Sequence, residues 1–198
     1  MMISPRRGFV FLCTPKCAST ALEQALAPHC GIRIAGAPQM KHAGYADYQR
    51  HIAPFLTEVG GVDVGALTVL ALMREPLDWL RSWWRYRQRP ALADSAHPNH
   101  RNYTGGMDFE EFLDAYFGEP GVGLRRQHDH LNDLDGGYDG IEIHRYEALP
   151  RFVERLEGLI GAPLKLGSVN VSPPGDGAVD PAWRDRLAAE YALYERLP

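Results

Sequence analysis

The sequence predicts an α/β fold: a mostly parallel central sheet flanked by helices, in a single domain spanning residues 1–198. Three observations predict it. Short runs of β-branched and aromatic residues stand at Phe9 to Cys13, Leu67 to Met73 and Ile141 to Tyr146. Longer segments with helical spacing separate these runs, and strands alternating with helices imply a sheet covered on both faces. Finally, 198 residues that are 45% hydrophobic and 23% charged suffice for one full core of ordinary size.

Each element has a local reason. FVFLC, Phe9 to Cys13, reads as the first core strand and stops at Thr14-Pro15-Lys16. Two arginines before it imitate a secretory signal, but the apolar run is too short for one. A helix follows over Thr20 to Ala27. Over Tyr45 to Val59 a second helix places Tyr45, Tyr48, Ile52, Phe55 and Leu56 on one face. The strand LTVLALM leads into a helix over Pro76 to Arg87, which carries proline in its first turn. Arg87 to Met107, rich in Pro, His, Asn and Gly, reads as a long surface excursion of the kind that borders a site. Asp108 then caps FEEFLDAYF. Leu149 to Ile160 carries Phe152, Leu156, Leu159 and Ile160 at helical spacing, and Pro181 opens WRDRLAAEYALYERL. Val169 to Val179, with SPPGDG inside it, reads as a second loop.

Bulk properties exclude several partners. A net charge of -4 and a pI near 6.0 supply no broad basic field for nucleic acid. The apolar stretches fall far short of the roughly 20 residues that cross a bilayer. Cys13, Cys17 and Cys30 are odd in number and lack histidines at zinc spacing, so reduced thiols and a cytoplasmic location are expected.

The turn after the first strand carries the chemistry. A buried strand that turns sharply into a helix leaves free N–H groups and the positive end of the helix dipole at the sheet's carboxyl edge. Lys16 adds a full charge there, and Ser19 and Thr20 add hydroxyl donors, which suits a phosphate or sulfate. The alternative is a solvated turn lysine followed by two capping hydroxyls. The chain has no Gly-Lys pair and no G-x-G-x-x-G, which removes the main support for ATP, GTP and dinucleotide readings.

TPKCASTAL resembles the 5'-phosphosulfate loop of sulfotransferases that use 3'-phosphoadenosine 5'-phosphosulfate, with Ala18 where many members have Gly. VLALMREPLDWLRSWWRYR resembles that family's second cofactor motif, through Arg74, Pro76 and Ser82. The resemblance implies a P-loop-like sulfotransferase fold in which Pro15, Lys16, Cys17, Ala18, Ser19, Thr20, Arg74 and Ser82 bind the cofactor. Arg74 also falls at the carboxyl end of a buried strand, where open α/β sheets place ligands, and its forked donors suit a terminal phosphate. The alternative for Arg74 is a salt bridge to Glu75 or Asp78. More loosely, RRQHDHL, IHRYEALPRFVERLEGLIG and VNVSP resemble the family's later course, in which a Gln-containing helix precedes a strand ending in Arg-Tyr-Glu. After Val169-Asn170-Val171-Ser172 the family often supplies a basic residue, and SPPGDG supplies none.

The implied reaction moves a sulfuryl group to a hydroxyl or amine and leaves 3',5'-adenosine bisphosphate. The moving group is less charged than a phosphoryl group, and no metal is required. Lys16 is the catalytic cation beside the leaving oxygen. His42 is the candidate base, with Glu23 or another of the eight histidines as alternatives. His128 and His130 are candidate acceptor-site residues or solvated positions on a polar helix. Trp79 and Trp83 are expected to pack together, and Trp84 either packs in the core or stacks on a ligand ring. Arg81, Arg85 and Arg89 form a basic stripe at four-residue spacing. The acceptor is a carbohydrate, lipid, peptide or small metabolite. The rival readings are a small-molecule kinase or other P-loop-like nucleotide-binding protein, and a binding module without a base.

Overall fold

The computed structural model describes residues 1–118, 121–167 and 180–198. The VNVSP and SPPGDG expectations over Val169 to Val179 lie outside the described residues. One five-stranded sheet organises the rest, in the order β3-β1-β2-β4-β5. The strands are β1 Met2–Ser4, β2 Phe9–Phe11, β3 Ile32–Arg33, β4 Thr68–Met73 and β5 Ile141–Arg145.

The three expected strands are present and run parallel as β2, β4 and β5, with Phe9 opposite Thr68 and Val69 opposite Ile141. The sheet is nonetheless mixed rather than mostly parallel, because β1 pairs antiparallel with both β2 and β3. Both added strands are very short, and Pro5 follows β1 directly, which hides them from a periodicity search. A tight turn over Pro5–Arg7 reverses the chain, closed by Gly8 at φ 71°, a conformation that costs glycine little. Strand β2 is shorter than expected, yet its ladder runs on, since Leu12 N–H donates to the Leu70 carbonyl at 2.8 Å.

Alternation along β4 divides the core. Leu70 and Leu72 join Phe9, Phe11, Leu22, Trp79, Phe152 and Leu156 on one face. Val69, Ala71 and Met73 join Val10, Leu12, Tyr45, Tyr48 and Leu56 on the other. The first face is covered by α1 Ser19–Leu26, α5 Pro76–Arg87, α7 Phe109–Phe117 and α8 Leu149–Ile160. The boundaries of α5, α7 and α8 fall where the sequence places them, and each has a cause. Glu75 caps α5, accepting from Asp78 N–H at 2.6 Å, with Pro76 in the first turn. Asp108 and Glu111 form a reciprocal capping box on α7. Gly161, at φ 71°, ends α8.

The other face is covered by a compound helix that follows the short α2, Pro38–Lys41. It comprises α3 Tyr45–Asp47, a wider π turn over Tyr48–Ile52, and α4 Ala53–Glu58. Pro54 has no N–H to continue an ordinary ladder, and the backbone widens just ahead of it, with Ala53 N–H reaching Tyr48. The extra residue in that turn rotates the face of α4 relative to α3. Leu56 is buried, whereas Phe55, expected on the same face, is 60% exposed.

Three further expectations are corrected. RRQHDHL forms a single turn over His128–His130 rather than a helix. The excursion after α5 contains a short helix, α6 Pro90–Ala93, and Arg87 at its start is buried. WRDRLAAEYALYERL breaks at Leu187 into α9 Ala182–Arg186 and α10 Ala188–Tyr194. Among the described residues, no helix is long and apolar enough to cross a membrane.

Candidate functional site

The carboxyl ends of β2 and β4 are neighbours in the sheet, so the loops leaving them meet at one edge. The loop after β2 reaches α1 through two non-glycine residues in the left-handed region, Lys16 at φ 63° and Ala18 at φ 53°. Such conformations persist only where the surroundings hold them, and they cluster at ligand sites. Ala18 occupies the cap position of α1 without any side-chain cap hydrogen bond. The first intrahelical bond runs from Leu22 N–H to the Ala18 carbonyl, at 3.1 Å. The hydroxyls of Ser19 and Thr20 therefore do not cap the helix, and its first N–H groups face the cavity edge without side-chain partners.

That cavity has a volume of about 530 Å³. Pro15, Lys16, Ala18, Ser19 and Thr20 line it from one motif, Arg74 and Ser82 from the other, and His42 from between them. The two motifs thus share one chamber, of a size that holds a small-molecule ligand. Cys17 differs from its neighbours: its side chain is fully buried and packs in the core, with Sγ 3.6 Å from Gln127 Oε1. Burial pushes its thiol up to about 12, so it stays protonated.

Lys16 is held against aromatic rings, with Nζ 4.6 Å from the Tyr86 centroid and 5.5 Å from that of Trp83. Burial, followed by the charges of Arg89 and Arg74, pulls its pKa down to about 8. An ammonium so crowded by cations gains from an incoming anion. Arg74 is 5% exposed and its Nε donates to Asp78 Oδ2 at 2.6 Å, so the salt-bridge expectation also holds. Its Nη1 donates to the Lys16 carbonyl at 3.2 Å, and the guanidinium lies 4.8 Å from the Tyr146 centroid. These two bonds use two of five donors, and the same residue ties the second motif to the first.

His42 follows α2, with Nδ1 bonded to the Cys13 carbonyl. A carbonyl accepts only, so Nδ1 carries the hydrogen and Nε2 holds the lone pair, as a base requires. Burial lowers the pKa of His42 from its ordinary value. Glu23 is taken by an ion pair with Lys41 at 2.6 Å. His128 Nδ1 lies 3.2 Å from Glu190 Oε1, and the carboxylate raises its pKa. His130 is half-buried and held neutral, its pKa pulled to about 4 by burial and by the charge of Arg125. A Cβ on Gly44 would lie 2.8 Å from the His130 carbonyl, so this turn packs tightly behind the His42 segment.

Gln127, the glutamine of RRQHDHL, has a clamping role that the sequence does not announce. It is 1% exposed, its Oε1 accepts from Arg74 N–H at 2.9 Å, and its Nε2 donates to the Arg74 carbonyl at 2.7 Å. A single amide thus clamps the end of β4 and touches Cys17. Trp83, Tyr86, Arg89, Asn99 and Asn102 also line the cavity. Trp83 packs edge-on to Trp79, at 6.1 Å, as its spacing predicts, while presenting a ring to Lys16. Trp84 packs against Phe109 and does not line the cavity. The basic stripe breaks up: Arg81 is buried over the Phe109 ring, whereas Arg89 turns to the cavity. Among the described residues, no three His, Cys, Asp or Glu side chains are grouped to hold a metal ion.

No family model matches this sequence, and no curated protein matches it. Among solved structures, the chain is similar to one described as the crystal structure of sulfotransferase from Alicyclobacillus acidocaldarius. The two are 16% identical, the match covers 94% of this chain and 91% of that chain, and the TM-score is 0.43. A likeness that distant carries no argument about this chain.

Proposed function

We propose that this protein is a metal-independent sulfotransferase that takes a sulfuryl group from 3'-phosphoadenosine 5'-phosphosulfate to a hydroxyl or amine acceptor. One observation supports the reading above the rest: the two motifs that resemble the family's cofactor segments line a single chamber with a histidine beside them. The donor supplies the sulfuryl group, and the chain's own residues do the rest. The uncapped first turn of α1, with Ser19, Thr20 and Lys16, offers donors and charge to the phosphosulfate end. Arg74 and Ser82 offer forked and hydroxyl donors to the 3'-phosphate. Nε2 of His42 takes the proton of the acceptor hydroxyl or amine.

Equilibrium binding of 3',5'-adenosine bisphosphate tests the reading. Lys16→Ala and Arg74→Ala are each expected to weaken it by about 10–100-fold, the worth of a charge-assisted hydrogen bond. Absence of binding by the unaltered protein, or equal binding by all three, would defeat it. His42→Ala should keep nucleotide affinity and lose about 10²-fold or more in turnover. Tight ATP-magnesium binding would instead favour a kinase.

A further inference from the structure

A second cavity, of about 490 Å³, lies beside the first and is lined by Arg87, Arg101, Asn102, Thr104, Gly121, Val122 and Gly123. Asn102 lines both chambers, so they adjoin. Arg87 ends α5 and is 4% exposed. Its Nη1 donates to the Val122 carbonyl at 2.7 Å, its Nε has no hydrogen-bond partner, and its guanidinium lies 6.0 Å from the Trp83 centroid. Among the described residues no carboxylate pairs with it. Burial lowers its pKa from the ordinary value, as expected of a cation held out of water. The Thr104 hydroxyl is likewise buried without a partner, although its backbone N–H is tied to the Arg87 carbonyl at 3.2 Å. Arg101, exposed at the mouth, adds a second cation that solvent screens until a ligand arrives.

A buried guanidinium with an idle N–H, an idle hydroxyl and a second arginine make a donor-rich pocket among the described residues. Its complement is an anionic oxygen group, because forked N–H donors match carboxylate and phosphate geometry. We infer that this pocket is a second anion subsite that seats an acidic group, a carboxylate, phosphate or sulfate ester, of the acceptor substrate. The assignment to the acceptor rests on the sulfuryl-transfer reading, since the adjoining chamber is the one proposed for the donor. It narrows the acceptor from any hydroxyl or amine to one carrying an anion a short reach from the reacting atom. Neutral lipids and simple sugars fit the pocket poorly.

Titration calorimetry with inorganic phosphate tests the site without catalysis. Lys16→Ala combined with Arg74→Ala removes the charged contacts proposed for both anionic ends in the first chamber, and that double variant is expected still to take up one phosphate per chain. Adding Arg101→Ala should weaken this uptake about tenfold, and adding Thr104→Val about threefold. Arg101 is exposed, so its loss leaves the fold intact, and circular dichroism checks each variant. No uptake by the Lys16→Ala, Arg74→Ala double variant, or uptake indifferent to both additions, overturns the subsite. Steady-state kinetics then decides whether the acceptor uses it. With acid-bearing acceptors, Arg101→Ala should raise KM about tenfold at unchanged kcat, and with neutral acceptors it should change neither. An equal effect on both kinds overturns the assignment to the acceptor. Failure of the unaltered protein to bind 3',5'-adenosine bisphosphate would sink the sulfuryl-transfer reading alone, while the phosphate titration still reports on the pocket.

Discussion

Lys16 works at a pKa of about 8, pulled down first by burial and then by Arg89 and Arg74. That position has consequences with a definite sign. Below pH 8 the ammonium is charged and attracts an anion; above it the charge is lost and anion affinity falls. A bound anion favours the charged form and raises the pKa, so binding near pH 8 should take up a proton from buffer. Calorimetry in buffers of different ionisation enthalpy reads that uptake directly, and its absence would show that no anion sits beside Lys16. Arg89→Ala, by removing a repelling charge, should move the midpoint to higher pH. Lys16→Arg should flatten the profile, since a guanidinium stays charged throughout. On the acid side, His42 must be neutral to accept a proton, and burial holds its pKa below the ordinary value. The acid-side decline in turnover should therefore fall below the pH at which an ordinary histidine would impose it.

At the scale of elements, a third segment ties the loop after β2 and the end of β4 together. Gln127 pairs with both backbone groups of Arg74, and its Oε1 lies 3.6 Å from Cys17 Sγ in the loop after β2. Gln127→Leu would leave a buried N–H and a buried C=O unpaired, at a cost of about 2–4 kcal/mol in unfolding free energy. Denaturant titration measures that loss. Affinity for 3',5'-adenosine bisphosphate should fall too, because Arg74 would no longer be held; a stability loss with unchanged affinity would make the clamp merely structural. Nothing in RRQHDHL betrays this role. Pro15-Lys16 and Arg74-x-Pro76 are legible because a sharp strand-to-helix turn dictates its residue types locally. An amide that meets a strand 53 positions away in the chain is chosen by tertiary contact, which no local pattern carries. The same contrast explains the elements themselves. The caps on α5 and α7 are written in adjacent residues, whereas β1 exists only because β2 is there to pair with, and β3 only because β1 is. Phe55 departs from its expected face for a third reason: Pro54 forces a wide turn, and one extra residue rotates a helix face.

For the whole molecule, the parallel strands β2, β4 and β5 bring separate stretches of chain to one edge, so a ligand held there ties several crossovers of the sheet together. Such a ligand stabilises the native state by mass action. At a hundred times its Kd, 3',5'-adenosine bisphosphate should add about 2.7 kcal/mol, or roughly 5–10 °C in Tm for a chain of this length. The decisive comparison uses adenosine 5'-phosphate, which presents one charged end instead of two. If the Lys16 loop holds the 5' end and Arg74 with Ser82 the 3' end, the monophosphate should bind more weakly and shift Tm less at equal concentration. Arg74→Ala should then reduce the bisphosphate shift to that of the monophosphate and leave the monophosphate shift nearly unchanged. Lys16→Ala should reduce both. Because Arg74 Nη1 also bonds the Lys16 carbonyl, the two losses should not add, and a coupling of about 0.5–3 kcal/mol is expected in the double variant. If Arg74→Ala lowered the two ligands' shifts alike, the residue would act by bracing the loop, and the chamber would grip its nucleotide at one end only.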